Sequence, residues 1–215
     1  MEANKKDIEK YLTKYSETED SVLQELNRET NLKVLRPRMI SGNIQGKFLE
    51  MITKMINPKK ILELGTFTGY SAICFAKGLS ENGKLHTIEI NDELEDFILK
   101  YFEKAKVLNK ITLHIGNAID ILPNLDNDFE LVFIDADKRQ YIEYYNLVID
   151  KVKPGGFILA DNVLWNGKVI EMGKPDDEYT KGIMEFNKYI KNDKRVENVI
   201  LPLRDGLTLI RKKIK

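Results

Sequence analysis

The segment ILELGTFTGYSAICFAKGL, residues 61–79, decides the fold. It opens as an apolar run, breaks at two glycines, and closes on apolar residues at helical spacing. That is the pattern of a buried strand, a tight turn and a helix. Gly65 and Gly69 let the backbone approach a ligand and take dihedrals that other residues avoid. The spacing G-x-x-x-G matches neither G-x-G-x-x-G, the pyrophosphate fingerprint, nor the phosphate loop G-x-x-x-x-G-K-[ST]. Glu63, just ahead of Gly65, would repel a phosphate and suits a cationic ligand. Ser71 stands near the helix start, where a hydroxyl caps or contacts ligand. Taken alone, the turn also fits a strand-to-helix connection that merely needs glycine.

Outward from this turn, short apolar runs alternate with helical periodicity, the signature of an α/β protein. The further strands expected are KLHTIEI (84–90), ITLHIG (111–116), ELVFIDA (130–136) and GGFILAD (155–161), with the first starting at Lys59. They are nearly continuous in apolar residues, as parallel strands covered on both faces are. Helices are expected at 71–79, 92–108 and 139–152. The second carries Leu94, Phe97, Ile98, Tyr101, Phe102, Ala105 and Leu108 on one face. Three more helices, near 4–15, 19–28 and 43–56, precede the first strand. A polar segment, 163–178, and a helix near 179–191 follow the fifth. Two last strands, VENVILPL (196–203) and GLTLIRKK (206–213), are joined by Arg204-Asp205, a length that suits a hairpin. A parallel sheet finished by an antiparallel hairpin resembles the class I methyltransferase architecture rather than the plain dinucleotide-binding one.

The chain of 215 residues fits one domain, with N-terminal helices over 1–56 and a core over 57–215. Acidic and basic residues balance at 34 each, so no global basic field argues for nucleic acid. Cys74 is the only cysteine, which excludes an internal disulfide framework. No apolar run reaches the roughly 18 residues that span a bilayer. The charged start MEANKKDIEKYLTKY has no apolar signal region. The expectation is a cytoplasmic protein.

Two buried runs end in acids. ELVFIDADK closes on Asp135, Asp137 and Lys138, and FILADN closes on Asp161-Asn162. Charges at the mouth of a buried strand are costly unless compensated. If these strands are neighbours, Asp135, Asp161 and Asn162 converge as hard oxygen donors suited to Mg²⁺, Mn²⁺ or Ca²⁺. The plainer alternatives are a cap at Asp161 or Asn162 and ion pairs of Asp135 or Asp137 with Lys138 or Arg139. Glu89, about 20 residues beyond the glycine turn, can accept both hydroxyls of a ribose. An adenosine-containing ligand without phosphates, S-adenosylmethionine, fits these observations together.

These residues resemble the cation-dependent O-methyltransferases of the caffeoyl-CoA and catechol type. The resemblance runs from about Met39 to Arg211. It rests on ELGTFTGYSA, FIDADKRQY and ADNVLWNG, with DGLTLIRK closing. It implies a Rossmann-like sheet of seven strands in the order 3-2-1-4-5-7-6, the last antiparallel, with helices on both faces. It implies that Asp135, Asp161 and Asn162 hold the cation. Met39, Glu63, Gly65, Ser71, Glu89, Ala118 and Asp135 would line the S-adenosylmethionine site. Lys138 would act as base, and Asp137 and Trp165 would face the acceptor. For Lys138 the plainer reading is a solvated residue or a partner of Asp137. For Trp165 it is core packing.

The acceptor expected is a small catechol-like phenol. A bacterial branch of the same family, which methylates a hydroxylated uridine at the tRNA wobble position, is similar around RPRMISGNIQG, where Arg36 and Arg38 could contact phosphates. A non-catalytic S-adenosylmethionine-binding scaffold is the alternative of another class. The stretch 166–178 is expected to form a lid over the pocket. A homodimer is expected too, with Ile8, Tyr11, Leu12 and Tyr15 offering an apolar face that could equally dock on the chain's own body.

Overall fold

The computed structural model describes residues 5–171 and 177–214. Its centre is a seven-stranded sheet: β1 (Lys60–Leu64), β2 (Lys84–Glu89), β3 (Ile111–Ile115), β4 (Phe129–Ile134), β5 (Val152–Asp161), β6 (Val196–Leu201) and β7 (Leu207–Lys212). The order is β3-β2-β1-β4-β5-β7-β6, as the resemblance implies. The pairs among β1 to β5 are parallel, and β7 runs antiparallel to both β5 and β6.

Alternation along the strands sorts side chains onto two faces. Ile61, Leu85, Leu131, Phe133 and Leu159 point to one layer. That layer holds α2 (Ser21–Lys33), α3 (Asn43–Ile56), α4 (Tyr70–Gly78) and α5 (Glu95–Lys104), after the leading helix α1 (Lys5–Tyr15). Leu62, Leu64, Val132, Ile134 and Ile158 point the other way. They meet α6 (Ala118–Ile121), α7 (Tyr141–Ile149) and α8 (Glu178–Asn192), whose Tyr141, Tyr145, Ile183 and Phe186 are fully buried. Both faces are covered, which is why the strands read as unbroken apolar runs.

Several boundaries differ from expectation, among them the end of the helix expected near 19–28, which runs on to Lys33. The helix expected over 92–108 ends at Lys104, because Lys106 turns left-handed (φ 58°) and reverses the chain. Leu108 therefore leaves the apolar face and is exposed. β5 begins at Val152 rather than Gly155, so Val152 belongs to the strand, and a register shift against β4 between Phe129 and Leu131 absorbs the irregular start. The last hairpin has a five-residue connection, 202–206, in place of two residues. Pro202 offers no N–H to the ladder, and Arg204 (φ 55°) and Gly206 (φ 86°) both turn left-handed.

The apolar face of α1 does not dock on the body: Tyr11 is 64% exposed and Tyr15 66%. No helix among the described residues is long and apolar enough to cross a membrane.

Candidate active site

Strand register builds the site. Leu64 pairs with Ile134, and Ile134 with Ala160. The next residues along β1, β4 and β5 are Gly65, Asp135 and Asp161, so they stand in a row at the carboxyl edge of the sheet. Open parallel sheets bind ligands at this edge. Alternation also directs Glu63 and Asp161 to the face that carries α3 and α4. Gly65 (φ 97°) packs so closely on β4 that a Cβ would overlap the Asp135 carbonyl oxygen. The backbone of Asp135 is tied back to β1 by its N–H to the Leu64 oxygen, 2.9 Å.

Glu63 is fully buried. Its Oε2 accepts from Thr87 Oγ1 across the β1–β2 pair at 2.5 Å, and Thr87 in turn meets Thr66 at 2.6 Å. Among the described residues its Oε1 has no hydrogen-bond partner. Burial pushes this carboxyl up to about 8, against the pull of the Ser71 and Thr87 hydroxyls. A buried acceptor without a donor is the arrangement a cationic or N–H-bearing ligand completes.

Glu89 ends β2, buried, with Oε2 accepting from Phe67 N (2.6 Å) and Oε1 from Asn91 N (3.0 Å). Burial raises its pKa despite those backbone donors. The carboxylate is thereby fixed beside the glycine turn, with lone pairs left for hydroxyls. Gly116 N–H bonds the Glu89 carbonyl at 2.8 Å, which brings Ala118, the first residue of α6, to the same edge. Ser71 is buried in the first turn of α4 but does not cap it; Gly69 holds that position without a side-chain bond. Tyr70 packs closely on Gly46 of α3. Met39 is 52% exposed, at the end of a short 3₁₀ turn (Pro37–Met39). Arg36 and Arg38 are exposed on the same loop.

At the acidic edge, Lys138 is buried and donates to Asp135 Oδ1 (2.6 Å) and to the Tyr141 hydroxyl (2.7 Å). That hydroxyl lies within reach of the Ile134 and Asp161 carbonyls, at 3.2 and 3.0 Å. Asp161 is 1% exposed. Its Oδ2 accepts from Gln45 Nε2 at 2.6 Å and its Oδ1 from the Asn162 N–H at 2.8 Å. Burial, then the charge of Asp135, pushes Asp161 up to about 6, while Lys138 and Gln45 pull it down. Two carboxyl groups that oppose each other's ionisation at one edge would be relieved by a dication. Asn162 follows in a left-handed conformation (φ 58°). Among the described residues, no three His, Cys, Asp or Glu side chains gather around one point. Asp135 and Asp161, with Asn162 next in the chain, offer hard oxygen donors of the kind that suit Mg²⁺, Mn²⁺ or Ca²⁺.

Asp137 does not pair with Lys138. Arg139 holds it through Nε at 3.0 and 3.1 Å and Nη2 at 2.5 Å, and Asp137 caps the following turn. Trp165 is not in the core. It stacks on Tyr179 (centroids 5.9 Å, 16°), and the Arg139 guanidinium lies 4.9 Å from the Tyr179 ring centroid. α8 comes close enough for this because Gly182 packs against the Lys138 carbonyl. The expected lid includes residues 172–176, which lie outside the described residues; flanking them, Lys168 pairs with Asp177 at 2.7 Å.

Sequence reasoning passed over Gln45, Tyr141 and Arg204. Gln45 stands in RPRMISGNIQG, so the segment was singled out, but no local pattern tied its amide to an acid 116 residues away.

The O-methyltransferase family model matches residues 13–213. Caffeoyl-CoA O-methyltransferase 5 of Nicotiana tabacum is 38% identical over 196 residues, covering 86% of this chain and 82% of that protein. An O-methyltransferase from Bacillus cereus, solved in complex with SAH, is 29% identical with a TM-score of 0.89, covering 96% of this chain and 97% of its own. The O-methyltransferase TomG of Streptomyces achromogenes, involved in tomaymycin synthesis and solved with SAM, is 28% identical with a TM-score of 0.89. It covers 97% of this chain and 96% of its own.

Proposed function

The chain belongs to the O-methyltransferase family and is an S-adenosylmethionine-dependent enzyme of the caffeoyl-CoA type; we propose that it methylates a hydroxyl of a small catechol-like acceptor with the help of a divalent cation. The observation that carries this reading is the row Gly65, Asp135, Asp161 across three adjacent strand ends, beside the unpartnered Glu63 Oε1.

Asp135, Asp161 and Asn162 are the residues that would hold the cation. When bound, it would supply a Lewis acid that makes the acceptor hydroxyl more acidic and orients it. Glu89 binds the ribose hydroxyls, and Glu63 faces the cationic amino-acid end of the methyl donor. Met39, Gly65, Ser71 and Ala118 complete that site. Lys138 Nζ takes the acceptor's proton. The acceptor oxygen forms a bond to the methyl carbon as the sulfur–carbon bond breaks, leaving a neutral thioether and an ammonium at Lys138. Trp165, stacked on Tyr179, and Asp137 border the acceptor, and the aromatic pair favours a planar ring.

The test is methyl incorporation from labelled S-adenosylmethionine into three acceptors: catechol, caffeoyl-CoA, and tRNA from cells lacking the enzyme. Labelling of catechol supports the proposal. Labelling of tRNA alone would replace it with the wobble-uridine reading, in which Arg36 and Arg38 meet phosphates.

A further inference from the structure

Gln45 is the third residue of α3 and is 1% exposed. Buried amides must satisfy both ends, and here each end has one partner. Nε2 donates to Asp161 Oδ2 at 2.6 Å, and Oε1 accepts from Arg204 Nη1 at 3.0 Å. A guanidinium only donates, so it fixes which end of the amide it meets. With Oε1 held by Arg204, the NH₂ must face Asp161. Arg204 is itself held: its Nη2 donates to the Ile40 carbonyl at 2.5 Å and the Arg38 carbonyl at 3.2 Å.

Arg204 sits at φ 55° in the five-residue connection between β6 and β7. The same connection supports the loop after β5. Asp205 and Gly206 carbonyls accept from Leu164 N (2.9 Å) and Val163 N (3.1 Å), and Asp205 Oδ1 accepts from Asn166 N (2.6 Å). One turn therefore braces the segment carrying Asn162 by its backbone and the carboxylate of Asp161 by way of Gln45. Asp161 Oδ1 takes the Asn162 N–H, so both oxygens of this carboxylate are oriented by the protein alone.

We infer that Gln45 and Arg204 are positioning residues of the cation site, locking the Asp161 carboxylate in one orientation through the chain Arg204–Gln45–Asp161. The inference rests on the proposed cation reading. Outer groups that orient a metal-binding carboxylate set affinity by about 10- to 100-fold. The methyl-donor site, built on Glu63 and Glu89, shares no hydrogen bond with Gln45.

The test is Mn²⁺ affinity by electron paramagnetic resonance titration, with S-adenosylhomocysteine affinity by calorimetry, on the full chain. Gln45→Met keeps the length of the side chain and removes the amide. It should weaken Mn²⁺ binding about tenfold and leave S-adenosylhomocysteine affinity unchanged. Arg204→Lys keeps the charge but cannot hold three oxygens in one plane, and should weaken Mn²⁺ binding in the same direction, by less. If Gln45→Met does not fold, Arg204→Lys carries the test. Unchanged Mn²⁺ affinity in the folded variants would overturn the inference while leaving the cation reading intact. Parallel loss of both affinities in Gln45→Met would also overturn it, because that pattern marks general loosening. Absence of Mn²⁺ binding in the wild-type chain would overturn the cation reading itself, and this inference with it.

Discussion

Lys138 reaches past its neighbour Asp137 to Asp135, with Nζ 2.6 Å from Oδ1. The choice is made by Arg139, which occupies Asp137, and by the Tyr141 hydroxyl, which accepts from Nζ on the other side. The amine is thus kept at the strand edge that carries Asp135 and Asp161, instead of extending into solvent.

Lys138→Met should lower methyl transfer by about 10²- to 10⁴-fold, the range of a lost general base. S-adenosylhomocysteine affinity should fall far less than turnover, because Lys138 meets the donor site only through Asp135, and Glu89 and Glu63 make no hydrogen bond to it. Single-turnover kinetics with calorimetry on the same preparation check both halves. A folded variant with unchanged turnover across pH would remove Lys138 from the chemistry.

Gly65→Ala tests the packing of β1 on β4. An added Cβ would overlap the Asp135 carbonyl oxygen and lie 2.8 Å from its carbon, at a φ of 97° that side chains avoid. Neither backbone can move without disturbing the ladder. The expected loss is about 2 kcal/mol or more of stability, read from the urea midpoint, together with loss of S-adenosylmethionine binding. Gly167→Ala, with open space around its Cβ position, is the comparison for strain alone.

Glu63 makes stability depend on pH. Its folded pKa of about 8 lies above the ordinary 4.5, so the folded chain binds more protons than the unfolded chain between those values. Its contribution is fully present below pH 4.5 and is lost as pH rises through 8. The loss is on the order of 5 kcal/mol. Glu63→Gln should flatten this part of the profile and be more stable than the wild type at pH 9. Thermal unfolding from pH 5 to 9, without cofactor and in chelator, measures it. Identical profiles for the two proteins would contradict the assignment.

The exposed apolar face of α1 leads to a prediction about assembly. If a second copy covers it, light scattering should give twice the chain mass, and Tyr11→Glu with Leu12→Glu should halve it. A wild-type monomer would contradict the homodimer.

The strands were legible because β1, β4 and β5 are covered on both faces and contain little but apolar residues. The acids at their ends were legible because they break those runs abruptly. Less could be read where the chain turns. Lys106 ends α5 by its left-handed backbone, and nothing in its side chain announces that. Arg204 looked like half of a two-residue hairpin, yet it sits in a five-residue connection whose shape depends on Pro202 and on contacts with residues 38–45. Lys138's partner was ambiguous because Asp135 and Asp137 are both within reach in sequence, and only Arg139's geometry separates them. Gln45 carries no motif; its role exists only once Asp161 and Arg204, distant in sequence, are brought to it.

The most direct test of the central claim is the cation dependence of methyl transfer by the purified chain. After treatment with a chelator, transfer from labelled S-adenosylmethionine to the catechol acceptor should fall to background. Added Mg²⁺ should restore it in the wild type but not in Asp161→Ala. Transfer that continues undiminished in excess chelator would contradict the claim that Asp135, Asp161 and Asn162 work by holding a cation.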